Sequence, residues 1–286
     1  MEEWLRNNKF KLIFNSLIVS NIIIWSFFFS LPDHKLHLKV YDVGQGDAIF
    51  IRSAGGFRIL VDGGPSNQVV EYLGDDLPFY SKSIDLVILT HPQADHLTGL
   101  VEVVKRYNIK TLWISDAKNE TRVFSEWKAV LEEADIDPVI VSQGDKLLLP
   151  DGTEIQVLSP RKEMVGQDVN AASVVILVSY GDFDALLTGD ADRQVQPYTG
   201  NEGHVEVFKV PHHGAEESIN QNFVATLSPE VSVISVGAKN KYGHPNQNVI
   251  RFLENLGSKV YRTDKNGTTE IVSDGKSWYT KTSSKF

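Results

Sequence analysis

Apolar positions along the chain fall into two regimes. From residue 12 to residue 31 no side chain is charged, and the run includes Ile22-Ile23-Ile24-Trp25 and three phenylalanines at 27–29. About 20 such residues are enough to cross a bilayer as one helix. A helix that is apolar on every face at a chain terminus is not the pattern of a soluble core helix. Arg6, Lys9 and Lys11 precede the run, and Asp33 and His34 follow it. The positive-inside rule then predicts residues 1–11 in the cytoplasm, 12–31 as a single transmembrane anchor, and the remainder outside. A cleaved signal peptide is the rival reading, but the run is long for one and no small-x-small site stands near Ser30.

From residue 34 onward the pattern alternates between short apolar runs and helical spacing. Strands are predicted at 36–43, 48–52 and 57–62, the last two joined by the Gly55-Gly56 turn, and a short helix around Val69–Leu73. Residues 85–90 form a continuous apolar run, like a buried strand. Leu97, Leu100, Val101 and Val104 then recur at helical spacing. A strand at 112–115 and a helix over 123–133 complete the first half. The second half repeats the theme, with strands at 155–158, 174–180, 185–188, 205–210 and 231–236, a helix over 246–256, and strands at 260–263 and 268–272. Two halves of this kind imply an α/β fold with two sheets packed face to face and helices outside, in one domain over 35–286.

Composition changes this picture in two ways. The 286 residues contain no cysteine, so a metal would need His, Asp or Glu ligands. The formal net charge is −9, which argues against a large non-specific nucleic-acid footprint. It does not exclude a nuclease whose positive charge is supplied by metal ions.

The candidate chemistry stands at strand ends. The segment His91-Pro92-Gln93-Ala94-Asp95-His96 follows a buried strand and precedes an amphipathic helix, so a tight loop can aim His91, Asp95 and His96 into one pocket. Asp190 ends one later strand, His212-His213 another, and His244 follows a third by way of a loop. Five of the eight histidines lie in these segments; His34, His37 and His204 lack such a setting and read as surface or packing residues. Singly, a histidine at a strand end is more often a hydrogen-bonded polar residue than a ligand, and Asp190 alone reads as a turn or cap residue. Four such segments together point to a metal site.

The ordered motifs resemble those of the metallo-β-lactamase superfamily, and within it the hydrolase domain of ComEC-type competence proteins. They are Asp42-Val43-Gly44-Gln45-Gly46-Asp47, Val61-Asp62-Gly63-Gly64, His91 to Gly99, Leu186 to Asp190, His212-His213-Gly214-Ala215, Tyr242-Gly243-His244-Pro245 and Arg262 to Gly267. The long multi-span channel of full ComEC proteins is not in this chain. The resemblance implies an αββα four-layer sandwich and a hydrolase using divalent ions, zinc or manganese, two of them with the second weaker. It implies Asp190 as the bridge, with Asp95, His96 and His244 at the better-formed position. His91, Gln93 and one of the paired histidines fall at the other. His212 or His213 is alternatively the group that protonates the leaving oxygen. Asp62 orients a ligand histidine, and Asp47 is structural.

Four departures from the family pattern stand out. Gln93 replaces a usual His or Asp, Ala215 a usual Ser, and Thr98 a usual Gly, while 170–173 take the place of a further His. The expected function is a phosphodiesterase or nuclease acting on DNA outside the membrane, with DNA-uptake channel proteins as possible partners. A hydrolase of another ester or amide, such as a lactone or β-lactam, is the alternative. So is a binding protein with a decayed metal site, a reading that Gln93 sustains.

Overall fold

The computed structural model describes residues 2–29, 31–78, 80–161, 169–191, 193–196 and 203–283, without the side chains of 2–7 and 26–29. Residues 1–33 and 34–286 form separate compact units. The first contains the helix Glu2–Phe29. Residues 26–30 of the apolar run expected to anchor the chain lie outside the described side chains, and among the described residues no helix is long and apolar enough to cross a membrane.

The second unit is built on two sheets. One has eight strands, in the order Trp278–Ser283, Thr268–Ser273, Leu36–Val40, Ile49–Arg52, Arg58–Val61, Leu86–Leu89, Leu112–Ile114, Val139–Ile140. The other has seven, in the order Lys259–Arg262, Val231–Ile234, Val207–Lys209, Phe183–Leu187, Val175–Tyr180, Glu154–Ser159, Lys146–Leu148. Each sheet is part antiparallel and part parallel, the parallel pairing running from Arg58–Val61 to Val139–Ile140 in the first and from Phe183–Leu187 to Lys259–Arg262 in the second.

Side-chain alternation explains the layering. Ile59, Val61, Leu86 and Ile88 point into the space between the sheets, where they meet Ala185, Leu187, Val207, Val231 and Val233. Their neighbours Leu60, Val87 and Leu89 face the opposite side and pack with Val69, Leu73, Leu97, Leu100 and Trp127 from the helices Gln68–Asp76, Ala94–Arg106 and Arg122–Glu133. Leu186, Phe208 and Ile234 do the same on the second sheet, against Phe223, Val224, Val249 and Leu253. Because successive residues face opposite sides of a strand, a strand buried on both faces reads as a continuous apolar run. The expected four-layer αββα arrangement is what these residues build.

Several short elements were not predicted, among them the strands Val139–Ile140 and Lys146–Leu148, the helix Gln221–Leu227 and the final strand Trp278–Ser283. The helix is short, and Asn220 caps it by accepting from Phe223 N at 3.1 Å. The strand Trp-Tyr-Thr-Lys-Thr-Ser lies at a sheet edge and is largely exposed, so burial left no apolar alternation in it.

Candidate metal centre

Every candidate residue leaves the sheets at the carboxyl end of a parallel strand: Asp62 after Val61, His91 after Leu89, Asp190 after Leu187, His213 after Lys209, and His244 beyond Ile234. Open α/β sheets place their crevices at these ends. The turn after Val61 is drawn tightly onto the helix that carries Asp95 and His96. Gly63 N donates to His96 O at 2.7 Å and Gly99 N to Gly64 O at 3.0 Å. A Cβ on Gly99 would stand 1.9 Å from Gly63 O, so glycine at 99 is what lets helix and turn approach. Thr98, the neighbouring departure, turns its hydroxyl to Ala94 O at 2.6 Å, away from the site.

Asp95, His96, Asp190 and His213 each offer a ligand atom within 4.8 Å of the others. His91 and His244, expected beside them, are outside that group, although the His91 ring centroid lies 4.2 Å from that of His96. His213 thus lies with Asp95 and His96 in this group, and His244, expected with them, stands apart from it. The reason lies in the backbone. His212 and His213 both adopt left-handed conformations, with φ of 50° and 54°, in the short turn Pro211–Gly214. That turn carries the His213 ring inward and leaves His212 half-buried. His213 Nδ1 donates to Ser235 O at 3.0 Å, which leaves Nε2 3.3 Å from Asp95 Oδ2 and 3.8 Å from Asp190 Oδ2.

His96 is held in the same way. Its Nδ1 lies 2.7 Å from Asp62 Oδ2, so Nε2 faces Asp190 Oδ2 at 3.4 Å. Asp62 also accepts from Thr90 N at 2.8 Å and Thr90 Oγ1 at 2.7 Å, so its carboxylate is fixed against the His96 ring. Asp47, Asp62 and His96 form a second close group. There Asp62 is already committed to Thr90 and His96, and Asp47 lies 2.8 Å from the buried Lys209 Nζ, so this group is supporting structure.

Four buried atoms without a hydrogen-bond partner belong to expected ligands: His91 Nε2, His96 Nε2, Asp190 Oδ2 and His244 Nδ1. Buried polar atoms are rarely left unpaired unless an ion or water takes the place. Of these, His96 Nε2 and Asp190 Oδ2 stand 3.4 Å apart within the close group, an arrangement that fits a divalent transition ion. Asp95, about a third exposed, opens the group to solvent.

Burial and charge set the protonation of these groups. Burial pushes the His91 imidazole down to about 3, helped by the nearby His96. Burial opposes a charged His96 too, but Asp190 and Asp62 outweigh it and hold its pKa well above the ordinary histidine value. Burial would raise Asp190, yet His96 and His213 hold it well below the ordinary carboxylate range. His244 is lowered by burial and by His213 and His212.

Gln93 stands at the start of the helix and donates from Nε2 to Asn170 Oδ1 at 2.7 Å. Residue 170 thus borders the site, where the sequence put it. Lys209 was missed. The signal was a lysine in the apolar run 205–210, on the same face as Val207 and therefore directed between the sheets. Of the remaining histidines, His37 pairs with Glu270 at 2.7 Å and His204 lies 3.5 Å from Glu206 on the surface.

The profile describing the metallo-beta-lactamase superfamily matches residues 41–238. ComE operon protein 3 of Bacillus subtilis (strain 168) is 28% identical over 282 residues, covering 88% of this chain and 35% of that protein. Recombination protein 2 of Haemophilus influenzae (strain ATCC 51907 / DSM 11121 / KW20 / Rd) is 28% identical over 237 residues, covering 80% and 28%. The chain thus spans about a third of the length of these relatives. Among solved structures, the metallo-beta-lactamase fold protein YhfI from Bacillus subtilis aligns with a TM-score of 0.54 at 12% identity, over 82% of this chain and 99% of that one. That likeness is one of fold.

Proposed function

The chain belongs to the metallo-beta-lactamase superfamily, and from that premise we propose that it is a metal-dependent phosphodiesterase acting on DNA outside the membrane. The observation that carries the metal chemistry is the set of unpartnered ligand atoms on His96 and Asp190, joined by Asp95 and His213. The substrate class is supported by the ComEC-type motifs and by relatives named for the ComE operon and for recombination.

Divalent ions bound here would supply an activated water and stabilise charge on the phosphoryl oxygens. Asp95, His96, Asp190 and His213 would hold the tighter ion, and His91 with Gln93 the weaker. The protein's own residues do the rest. Asp62 and the Ser235 carbonyl fix the tautomers of His96 and His213, so that Nε2 of each is directed inward. His212 N donates to Asp190 Oδ1 at 3.1 Å, orienting the carboxylate. The half-buried His212 side chain, outside the four-residue group, is the candidate to protonate the leaving alkoxide.

The apolar run 12–31 would anchor this unit to the membrane with the catalytic residues outside, beside DNA-uptake channel proteins. Protease added to intact cells should then digest residues 34–286, and protection until lysis would place the chemistry inside.

The reaction is tested by offering the purified, metal-loaded chain a DNA oligonucleotide, a lactone and a β-lactam. DNA hydrolysis that chelation abolishes is the expected result. Turnover of the lactone or β-lactam with DNA left intact would overturn the proposal.

A further inference from the structure

The loop 237–245, beyond the strand Val231–Ile234, carries features that hydrolysis at the metal centre does not require. Tyr242 is 61% exposed. Its ring stacks on His244, with centroids 5.6 Å apart and planes 27° apart. His244 in turn meets His212 edge-on at 6.0 Å. An aromatic surface thus runs from the candidate centre out to solvent.

The loop is braced to hold that ring. Asn240 Oδ1 accepts from the backbone N–H groups of Tyr242 and His244, both at 3.1 Å. Its Nδ2 donates to the carbonyls of Gly237 at 2.9 Å and His244 at 2.8 Å. Gly237 N donates to Gln45 Oε1 at 3.1 Å, tying the loop to the 42–47 motif. One asparagine making four such bonds braces the loop backbone on both sides of an exposed tyrosine that contributes nothing to the core.

Charge on the loop runs against the rest of the chain. The net charge is −9, yet no acidic residue occurs between Glu230 and Glu254, a stretch containing Lys239, Lys241 and Arg251. Lys239 and Lys241 are exposed. Lys241 Nζ stands 5.4 Å from the Tyr242 ring centroid, a weak contact that a phosphate can replace.

We infer that Tyr242 is a stacking platform for a nucleobase of single-stranded DNA, with Lys239 and Lys241 contacting the flanking phosphates. The inference rests on the phosphodiesterase reading above and narrows it to an unpaired strand. Every base has a π-face, so an aromatic ring beside lysines binds single strands with little sequence preference. A base inside a duplex is already stacked and must be extruded first.

The test measures binding by the full, metal-loaded chain to phosphorothioate-linked strands, which resist cleavage. The strands are intact, abasic or paired in a duplex. Wild-type protein should prefer the intact single strand. Tyr242→Ala should weaken that binding about 5- to 100-fold and erase the preference over the abasic strand. Tyr242→Trp should preserve both, and Tyr242→Leu, with bulk but no ring, should behave as Tyr242→Ala. Equal binding of intact and abasic strands by the wild type, or a Tyr242→Leu variant that binds like wild type, would overturn the platform. Hydrolysis of an ordinary abasic strand by the wild type separates the two claims. If that strand is cut but intact strands are not preferred, the platform fails and the phosphodiesterase stands. If no strand is bound or cut, both fail.

Discussion

Lys209 Nζ lies 2.8 Å from Asp47 Oδ2, with both side chains buried between the two sheets. The same ammonium donates to Val210 O at 3.0 Å, and Asp47 Oδ1 is 3.7 Å from His213 Nδ1. The pair thus braces the strand end that delivers His213. Removing one partner of a buried ion pair leaves an uncompensated charge and costs about 3–5 kcal/mol, whereas apolar replacement of both is often neutral. Lys209→Met should lower stability by that amount in urea unfolding, and Lys209→Met combined with Asp47→Leu should recover most of it. A single variant as stable as wild type would remove the pair from the architecture of the site.

Asp62 accepts three hydrogen bonds, two from Thr90 and one from His96. Asparagine has one acceptor oxygen, and its amide would donate where Asp62 now accepts, forcing Thr90 Oγ1 or His96 Nδ1 to change role, so Asp62→Asn should loosen His96 while the sheets remain folded. Outer-sphere partners of metal-binding histidines are typically worth about 10–100-fold in metal affinity or activity. Zinc titration should register a loss of that size. Asp190→Ala should go further, abolishing both metal retention and turnover with the far-UV circular dichroism unchanged.

The pH dependence of the metal-free chain follows from His91, whose imidazole is pushed down to about 3 by burial. In the unfolded chain the same group takes up its proton near pH 6.5. Between these values the unfolded state binds a proton that the folded state refuses, so this contribution falls as pH falls. The loss is on the order of 5 kcal/mol once pH reaches the folded value. His91→Asn, neutral throughout, should flatten the decline in urea-unfolding stability between pH 6.5 and pH 4. Identical slopes for variant and wild type would assign acid lability to other groups.

What the sequence made legible and what it hid divide along physical lines. Strands buried on both faces, such as Leu86–Leu89, announce themselves because burial forces a continuous apolar run, and the ligands stand where those runs stop. The choice between His212 and His213 was hidden because it depends on two consecutive left-handed residues, which ordinary spacing does not report. The same turn brings His213 to within reach of Asp95 and Asp190. The strand Trp278–Ser283 was hidden because an exposed edge needs no apolar alternation, and Lys209 because its partner lies 162 residues away in sequence.

Gln93 stands where the motif resemblance implies a histidine or aspartate, and the structure sharpens what a change there should do. It stands immediately before the helix Ala94–Arg106 with extended backbone, and its amide donates to Asn170. In the proposed two-ion arrangement its one carbonyl oxygen would be a neutral ligand beside His91, so the ion held there should be weaker than the ion at Asp95, His96 and His213. Gln93→Asp restores a negative charge, which should tighten the second ion and raise activity at low manganese. Aspartate at this helix start is favourable on two other counts, as a capping residue and as an anion at the positive end of the helix. Gln93→Asn separates these effects, because it caps as well and has the same reach but no charge. If Asp and Asn raise thermal stability alike while only Asp tightens the second manganese in a titration, then charge at residue 93 governs the second ion. If neither metal stoichiometry nor metal dependence moves with Asp, residue 93 serves to anchor Asn170, and the second position must be completed by His91 and another residue.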